Sequence, residues 1–564
     1  MQALILAIGV ALGARLFYWQ ILQWDVLSQR ALSQQSKEEN VRAQRGDIKT
    51  SDGLLLARET YLYTIRMPPP KFSSPQQIQD LAKALAPALN EKYDAVLAKL
   101  LSKEKMITFA KDAPATIGEA ARAVKEKRNL WSLEISARPA RQYPLGAFAA
   151  PVIGFVNGEG VPAYGIEQAK NAELRGVDGL KGGMWDALRT DRIPIDLPED
   201  KPAVNGAEIV LTLNSRMQRI AEAELEKVIR DSRAAAGTII ALDPKTGAIL
   251  ALANYPTADL NAFSEPRHQG KYNNPAVSSQ YEPGSTFKVI TVACALDAGT
   301  ITTNSSFDDN GVFILGGREI NNPNKIVPGR VSLVDVFKQS LNVEAAKISV
   351  GLGAERFYQC VRNFGFGSRT RVELAAESAG DVKAVGDGRW RDIDLGTNAF
   401  GQGIAMTPLQ LIAGISALAN QGKLMRPYII QEIHYANGTI AKTKPEPVRA
   451  AVRAETARQV TELLAQAIGA ESTNKALVPG YRIAGKTGTA SIPISGGLDP
   501  NATIASFVGF LPTEDPRLVI LVKIDKPQTS EWGSQIASPV FASLAKQWVV
   551  VMGVPPDDVR AKSK

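Results

Sequence analysis

Ser285 and Lys288 stand three residues apart in EPGSTFKVITVACALDAG, Glu282 to Gly299. From Ser285 up to Asp297, Lys288 is the only side chain that is not apolar, small or hydroxylated. A helical run that is apolar all round is buried rather than amphipathic, and burial lowers a lysine pKa toward neutrality. Residues i and i+3 share a helix face, so the spacing predicts an uncharged amine beside a hydroxyl, able to take the serine proton. Pro283-Gly284 opens a turn that places Ser285 near a helix amino end, where free N–H groups favour a developing anion. The usual base is scarce: His268 and His434 are the only histidines, and neither has a ligand partner nearby. That counts against a Ser-His-Asp triad or a His-based metal site. S-x-x-K alone is a weak pattern, because a snorkelling lysine produces it equally well.

Two further motifs follow in order. Ser340-Leu341-Asn342 gives S-x-N, a second hydroxyl for proton relay and an amide to hold a substrate peptide group. Lys486-Thr487-Gly488-Thr489 gives K-T-G-T on a predicted strand. There Gly488 permits close approach of a substrate backbone, and Lys486 with both threonines can bind a carboxylate. Lys245-Thr246-Gly247 repeats the triplet inside DPKTG, where turn chemistry explains it, and no catalytic role is assigned to it. The ordered set S-x-x-K, S-x-N, K-T-G matches acyl-serine enzymes that recognise penicillin. Leu341 occupies the position where the usual pattern has Asp.

These motifs need a scaffold, and 564 residues suffice for more than one domain. With 45% hydrophobic and 22% charged residues the chain is globular rather than disordered. The net charge of +8 is dispersed without basic blocks, which argues against nucleic-acid binding. Ala3 to Leu22 is long and apolar enough for an uncleaved membrane anchor, with Phe17, Tyr18, Trp19 and Trp24 as an interfacial belt. Arg30, Lys37, Arg42 and Arg45 follow the apolar run and no basic residue precedes it, so a charge count alone would keep the body of the chain cytoplasmic. Cys294 and Cys360 have no CxxC or metal spacing and read as two buried free thiols.

Residues 25 to about 40 read as a continuing helix, and Gln76 to Lys103 as amphipathic helices with leucines at helical spacing. A polar linker, LPEDKPAVNGAE, closes the first region near residue 205. IVLTLN and the helix SRMQRIAEAELEKVIRDS open the second. GTIIALDPKTGAILALAN reads as a hairpin. A mostly helical stretch runs to about 470, then come three strands, YRIAGKTGTASI, ATIASFVGFLP and RLVILVKIDKP, and a final helix within 538–553. Two early strands, three late ones and helices between them describe an α+β domain on an antiparallel sheet. The divisions expected are an anchor at 1–24, an N-terminal region at 25–204, a catalytic domain at 205–553 and a polar tail at 554–564.

Over nearly its whole length the chain resembles the class B penicillin-binding proteins, membrane-anchored monofunctional D,D-transpeptidases of the division (FtsI-like) or elongation type. Beyond the three motifs, QRGDIKTSDGLLLA resembles the family's R-G-x-I-x-D-x-x-G-x-x-L-A signature, with Ser51 and Asp52 in a slightly altered pattern. RQYPLGAFAAPVIGFV and YGIEQAKNAELRGVDG resemble its pedestal motifs, with Arg141, Tyr143, Gly165 and Glu167. AFGQGIAMTPLQLIAGISALAN resembles its G-x-G…T-P-L-Q-L segment, and Asn214 stands where members usually carry Asp.

The resemblance implies a five-stranded antiparallel sheet flanked by helices, preceded by a transmembrane helix and an elongated pedestal of dimerisation type. It implies that Ser285 attacks the penultimate D-Ala carbonyl of a stem peptide ending in D-Ala-D-Ala, with the N–H groups of Ser285 and Thr489 as oxyanion hole. Lys486, Thr487 and Thr489 would grip the terminal carboxylate, and Ser340 would relay a proton to the leaving amine. β-Lactams would acylate Ser285, and no metal or organic cofactor is required. Peptidoglycan lies outside the cytoplasmic membrane, so the catalytic domain is expected there too, and a basic leader is expected to be missing from the amino terminus. A SEDS-family glycosyltransferase of FtsW or RodA type, with other divisome or elongasome membrane proteins, is the implied partner. A hydrolase, either D,D-carboxypeptidase or β-lactamase, would use the same motifs but deliver water to the acyl-enzyme, and a β-lactamase needs a dedicated deacylation base, for which Glu373 and Glu377 are the carboxylates at plausible distance. A non-catalytic β-lactam-binding scaffold is the alternative from outside enzymology.

Overall fold

The computed structural model describes residues 1–28, 36–70, 74–185, 192–193, 201–469, 475–494 and 497–562. Arg30, part of the Pro-rich loop after Met67, the start of the polar linker and the last two residues of the tail lie outside the described residues. Two compact units make up the chain. The smaller comprises Met1–Gly46, Ala172–Glu208 and His434–Thr439. It begins with a helix, Gln2–Phe17, continued by a π-helical turn, Tyr18–Leu22, and this apolar span of 21 residues is exposed along its length. At 1.5 Å per residue it reaches about 30 Å, the thickness of a bilayer core. The helix expected to continue toward Asn40 gives way to a strand, Ser36–Val41, paired antiparallel with Gly179–Trp185. Pairing with a segment some 140 residues away, as β-ladders allow, left no periodic trace in the local sequence.

The larger unit is built on two large sheets, with smaller two-stranded ones beside them. In the first, Leu55–Met67 pairs antiparallel with Ile107–Ala113 and with Glu134–Gln142. Helix Pro75–Leu89 lays Leu81, Leu85 and Leu89 onto this sheet at the i, i+4, i+8 spacing and ends at Asn90, whose left-handed φ of 52° terminates it. Close by, Arg141 and Glu167 form a buried ion pair, Nε to Oε1 2.6 Å, with side chains 1% and 0% exposed.

The second sheet has five strands in the order Ile249–Tyr255, Ala236–Leu242, Leu518–Asp525, Gly497–Leu511, Ala484–Ile494, all antiparallel. The two early strands and the three late ones are those of the sequence reading. Helices Ser215–Ser232 and Gly533–Val551 cover one face, locked by Trp548, whose Nε1 donates to the Met217 carbonyl at 3.2 Å. The wholly buried helix Pro408–Ala419 packs on the sheet as well, and Lys288–Asp297 packs against it. Asn214 accepts from the N–H groups of Arg216 and Met217, an N-cap that Asp would serve equally well. Asp52 accepts from Ser215 N and Oγ, and so ties the altered signature to the same helix start.

Two expectations need correction. The stretch to residue 470 is not mostly helical: short hairpins intervene, Ser306–Asp309 with Gly329–Ser332, Val312–Leu315 with Arg318–Asn321, and Lys423–Met425 with Pro447–Ala450. Cys294 and Cys360 are not free thiols but a disulfide, Cα to Cα 5.8 Å. Packing of helix Lys288–Asp297 on helix Ala354–Asn363 brings them together, and a separation of 66 residues in sequence carried no sign of it.

Alkylating the denatured protein before reduction should leave both cysteines unlabelled by intact mass, and alkylating after reduction should label both. Replacing Arg141 by Ala should destabilise the fold by about 3–5 kcal/mol in chemical unfolding, because Glu167 would be left as a buried charge without its guanidinium.

Candidate active site

The nucleophile sits on a tight turn. Gly284–Phe287 is one turn of 3₁₀ helix that runs into helix Lys288–Asp297, and Thr286 Oγ1 donates to the Pro283 carbonyl at 2.8 Å. The Gly284 N–H donates to the Gly401 carbonyl at 3.1 Å. A Cβ on Gly401 would stand 2.2 Å from the Gly284 carbonyl oxygen, so the G-x-G segment must be glycine here for the Ser285 turn to close.

Ala484–Ile494, an outermost strand of the five, runs beside this turn and carries Lys486 to Thr489. Gly488 is packed tightly by the protein itself. A Cβ there would lie 2.4 Å from Ser506 Oγ and 3.1 Å from the Pro283 carbonyl, so the close approach is to the protein's own nucleophile turn. Ser340 lies in a third element, between helices Leu333–Lys338 and Asn342–Leu352, with a left-handed φ of 57°. For a residue with a Cβ that conformation costs about 1–2 kcal/mol. Leu341 turns away into an apolar cluster with Val331 and Val336, which explains why an apolar residue is accommodated between Ser340 and Asn342.

Four of the predicted residues converge. Lys288 Nζ lies 2.9 Å from Ser285 Oγ and 3.1 Å from Ser340 Oγ, and it also bonds the Ser340 carbonyl. Lys486 Nζ donates to Ser340 Oγ at 3.2 Å and to Thr487 O and Oγ1 at 3.1 and 3.2 Å. Lys288 is 0% exposed and Lys486 4%. Desolvation, and then the neighbouring Lys486 charge, hold the Lys288 pKa well below the ordinary lysine value. Desolvation lowers Lys486 to about 7. Three oxygens surround Lys288 Nζ, and once the amine is neutral two N–H groups can serve the two Ser340 oxygens while the lone pair takes the Ser285 hydroxyl proton. An ammonium would have three donors and nothing to accept the serine proton.

The remaining residues are placed differently. Asn342 opens its helix and its Nδ2 donates to the Asn321 carbonyl at 3.0 Å. Thr489 Oγ1 accepts from the Gly533 N–H at 3.2 Å. Lys245 pairs with Asp515 at 2.5 Å and holds its turn against another, as expected of the second K-T-G. Glu377 accepts from Thr370 and Arg371, and Glu373 from Arg426 and Ile429 N, so both carboxylates are engaged in structural bonds. Sequence reasoning missed the Ser340 carbonyl as a partner of Lys288, because a backbone oxygen exposed by one left-handed residue leaves no residue-type signal. No group of three or more His, Cys, Asp and Glu side chains among the described residues could hold a metal ion.

A sheet-borne K-T-G strand closing on a serine and a buried lysine of lowered pKa defines a serine acyltransferase. Residues 237–546 match the penicillin-binding protein transpeptidase domain, and residues 40–211 the penicillin-binding protein dimerisation domain. Stage V sporulation protein D of Bacillus subtilis is 29% identical over 555 residues, covering 97% of this chain and 84% of its own. The probable peptidoglycan D,D-transpeptidase PenA of Neisseria meningitidis is also 29% identical, covering 96% and 90%. Among solved structures, penicillin-binding protein 3 of Mycobacterium tuberculosis complexed with aztreonam superposes with a TM-score of 0.70 at 26% identity, over 92% of this chain and 98% of that one. The chain belongs to the penicillin-binding protein transpeptidase family, with the dimerisation domain that marks class B members.

The pH dependence of acylation should be bell-shaped. Activity rises as Lys288 loses its proton, and the second-order constant for a carboxylate-bearing β-lactam falls above about pH 7 as Lys486 loses its charge. In Lys486→Arg the alkaline limb should vanish, because a guanidinium does not titrate in this range. Stopped-flow measurement of acylation across pH checks both.

Proposed function

We propose that this chain is a peptidoglycan D,D-transpeptidase in which Ser285 is the nucleophile and Lys288 its base. The carrying observation is the pair of buried lysines sharing Ser340 Oγ, with Lys288 Nζ 2.9 Å from Ser285 Oγ. Ser285 Oγ adds to the penultimate D-Ala carbonyl as its proton passes to Lys288. The N–H groups of Ser285 and Thr489 receive the oxyanion. The C–N bond then breaks, Lys288 returns the proton through Ser340 to the departing D-Ala nitrogen, and an acyl ester remains on Ser285. An amine of a second stem peptide adds to the ester, gives up its proton to Lys288, and Ser285 leaves protonated. Lys486, Thr487 and Thr489 hold the terminal carboxylate of the donor, Gly488 lets their strand meet the nucleophile turn, and Asn342 holds a donor amide. A β-lactam, with its carboxylate and reactive amide, enters the same path and stops at the ester.

β-Lactamase-type hydrolysis is disfavoured because Glu373 and Glu377 are both spent on structural bonds. For location, we take 1–24 as a membrane anchor, 25–204 as the pedestal, 205–553 as the transpeptidase domain and 554–564 as its tail. An extracytoplasmic catalytic domain is supported by the apolar span Gln2–Leu22 and by the Cys294–Cys360 disulfide, which an oxidising compartment preserves. A SEDS-type glycosyltransferase contacting anchor and pedestal is the partner this arrangement suits.

Benzylpenicillin should add one stable acyl group to the wild-type chain by intact mass, mapping to Ser285, and none to Ser285→Ala. Nitrocefin should be consumed only stoichiometrically. Rapid turnover would instead identify a hydrolase, and an unmodified Ser285 in folded protein would overturn the assignment.

A further inference from the structure

The helix that follows Ser340 lacks a cap of its own. Asn342–Leu352 begins after Leu341, an N-cap residue whose side chain makes no capping hydrogen bond because it has no polar atom. The first N–H groups of a helix need acceptors, and here they come from another part of the chain. Asn322 Oδ1 accepts from Asn342 N at 2.9 Å and from Val343 N at 3.1 Å. The neighbouring Asn321 carbonyl accepts from Asn342 Nδ2 at 3.0 Å, so the 321–322 pair grips both the backbone and the side chain of the motif asparagine.

What aims the Asn322 amide is Asp309. Its two oxygens take the Asn322 Nδ2 hydrogens at 2.9 and 2.8 Å, and Oδ1 also accepts from Gly311 N at 2.8 Å. With its nitrogen committed to a carboxylate, the amide can present only oxygen to the helix start. Asp309 is 0% exposed and Asn322 3%. A buried carboxylate is costly unless it is fully hydrogen-bonded, and these contacts bind Asp309 to the amide it orients.

Two residues before Asn342, the backbone must hold Ser340 in a left-handed conformation so that its carbonyl and Oγ both reach Lys288 Nζ. We infer that Asp309 and Asn322 are positioning residues for the reaction: the carboxylate orients the amide, the amide caps helix Asn342–Leu352, and the fixed helix start holds Ser340 against Lys288. Neither Asp309 nor Asn322 belongs to the three sequence motifs. The inference rests on the proposed role of Ser340, and it makes the S-x-N motif dependent on a buried pair 18 to 31 residues upstream of Ser340.

The test is acylation of the full-length detergent-solubilised chain by benzylpenicillin, resolved into binding and acylation constants by stopped flow. Asn322→Ala should lower the acylation constant about tenfold or more with little change in binding, since misplacing a proton-relay group slows chemistry rather than docking. In a Ser340→Ala background the same substitution should cost less than about twofold, because the group it positions is gone. Asp309→Ala should mimic Asn322→Ala. Asp309→Asn should lose several-fold less than Asp309→Ala, because the one amide oxygen still accepts from Gly311 and Asn322 although its NH2 now faces the Asn322 donor. Wild-type acylation by Asn322→Ala, or an equal loss with and without Ser340, would overturn the inference. Should Asn322→Ala not fold, the Asp309→Ala and Asp309→Asn pair decides alone, equal rates overturning it. Acylation of Ser285→Ala would instead show that the site assignment itself had failed.

Discussion

Two amines buried within reach of one hydroxyl dominate this structure. Lys288 and Lys486 both approach Ser340 Oγ, and the hydrogen bonds of both amines run to hydroxyl and carbonyl oxygens. Like charges so placed in a desolvated site cannot comfortably coexist, and the Lys486 charge adds to burial in lowering the pKa of the amine beside Ser285. Charge is thereby divided between them: one amine is free to take a proton, the other is the cation that a carboxylate would meet. The division needs no carboxylate partner and no imidazole, only burial and proximity.

The fold exists around that requirement. Burial of Lys288 comes from the helix Lys288–Asp297, enclosed on all sides, and burial of Lys486 from its place in the five-stranded sheet. Three elements distant in sequence must meet within hydrogen-bond distance, and each brings its own constraint. The Ser285 turn needs glycines at 284 and 401, the K-T-G strand needs Gly488 to slide past that turn, and the Ser340 loop needs a strained residue. Strain stored at a site persists where the surroundings over-determine it, and the bonds around Asn322 and Asn342 supply that surplus of constraint.

Much of this was legible in the residue order. Helix Ser215–Ser232 and the hairpin strands appear where periodicity and the DPKTG turn put them, because both signals are local. The three motifs were readable because each combines residue types that chemistry needs, and the second K-T-G was separable because its turn context explained it. What escaped was information held between distant segments. The Cys294–Cys360 bridge depends on how two helices pack, the strand Ser36–Val41 on a partner far along the chain, and the bond from Lys288 to the Ser340 carbonyl on one backbone dihedral.

The outermost place of Ala484–Ile494 in its sheet has a consequence for solubility as well as for chemistry. A bare rim of peptide groups is a template for any extended chain, including another copy of the same protein. Here the template is short. Proline at position 493 offers no N–H, and the ladder slips between Ser491 and Pro493. A second strand could therefore not extend its ladder without interruption along the whole rim.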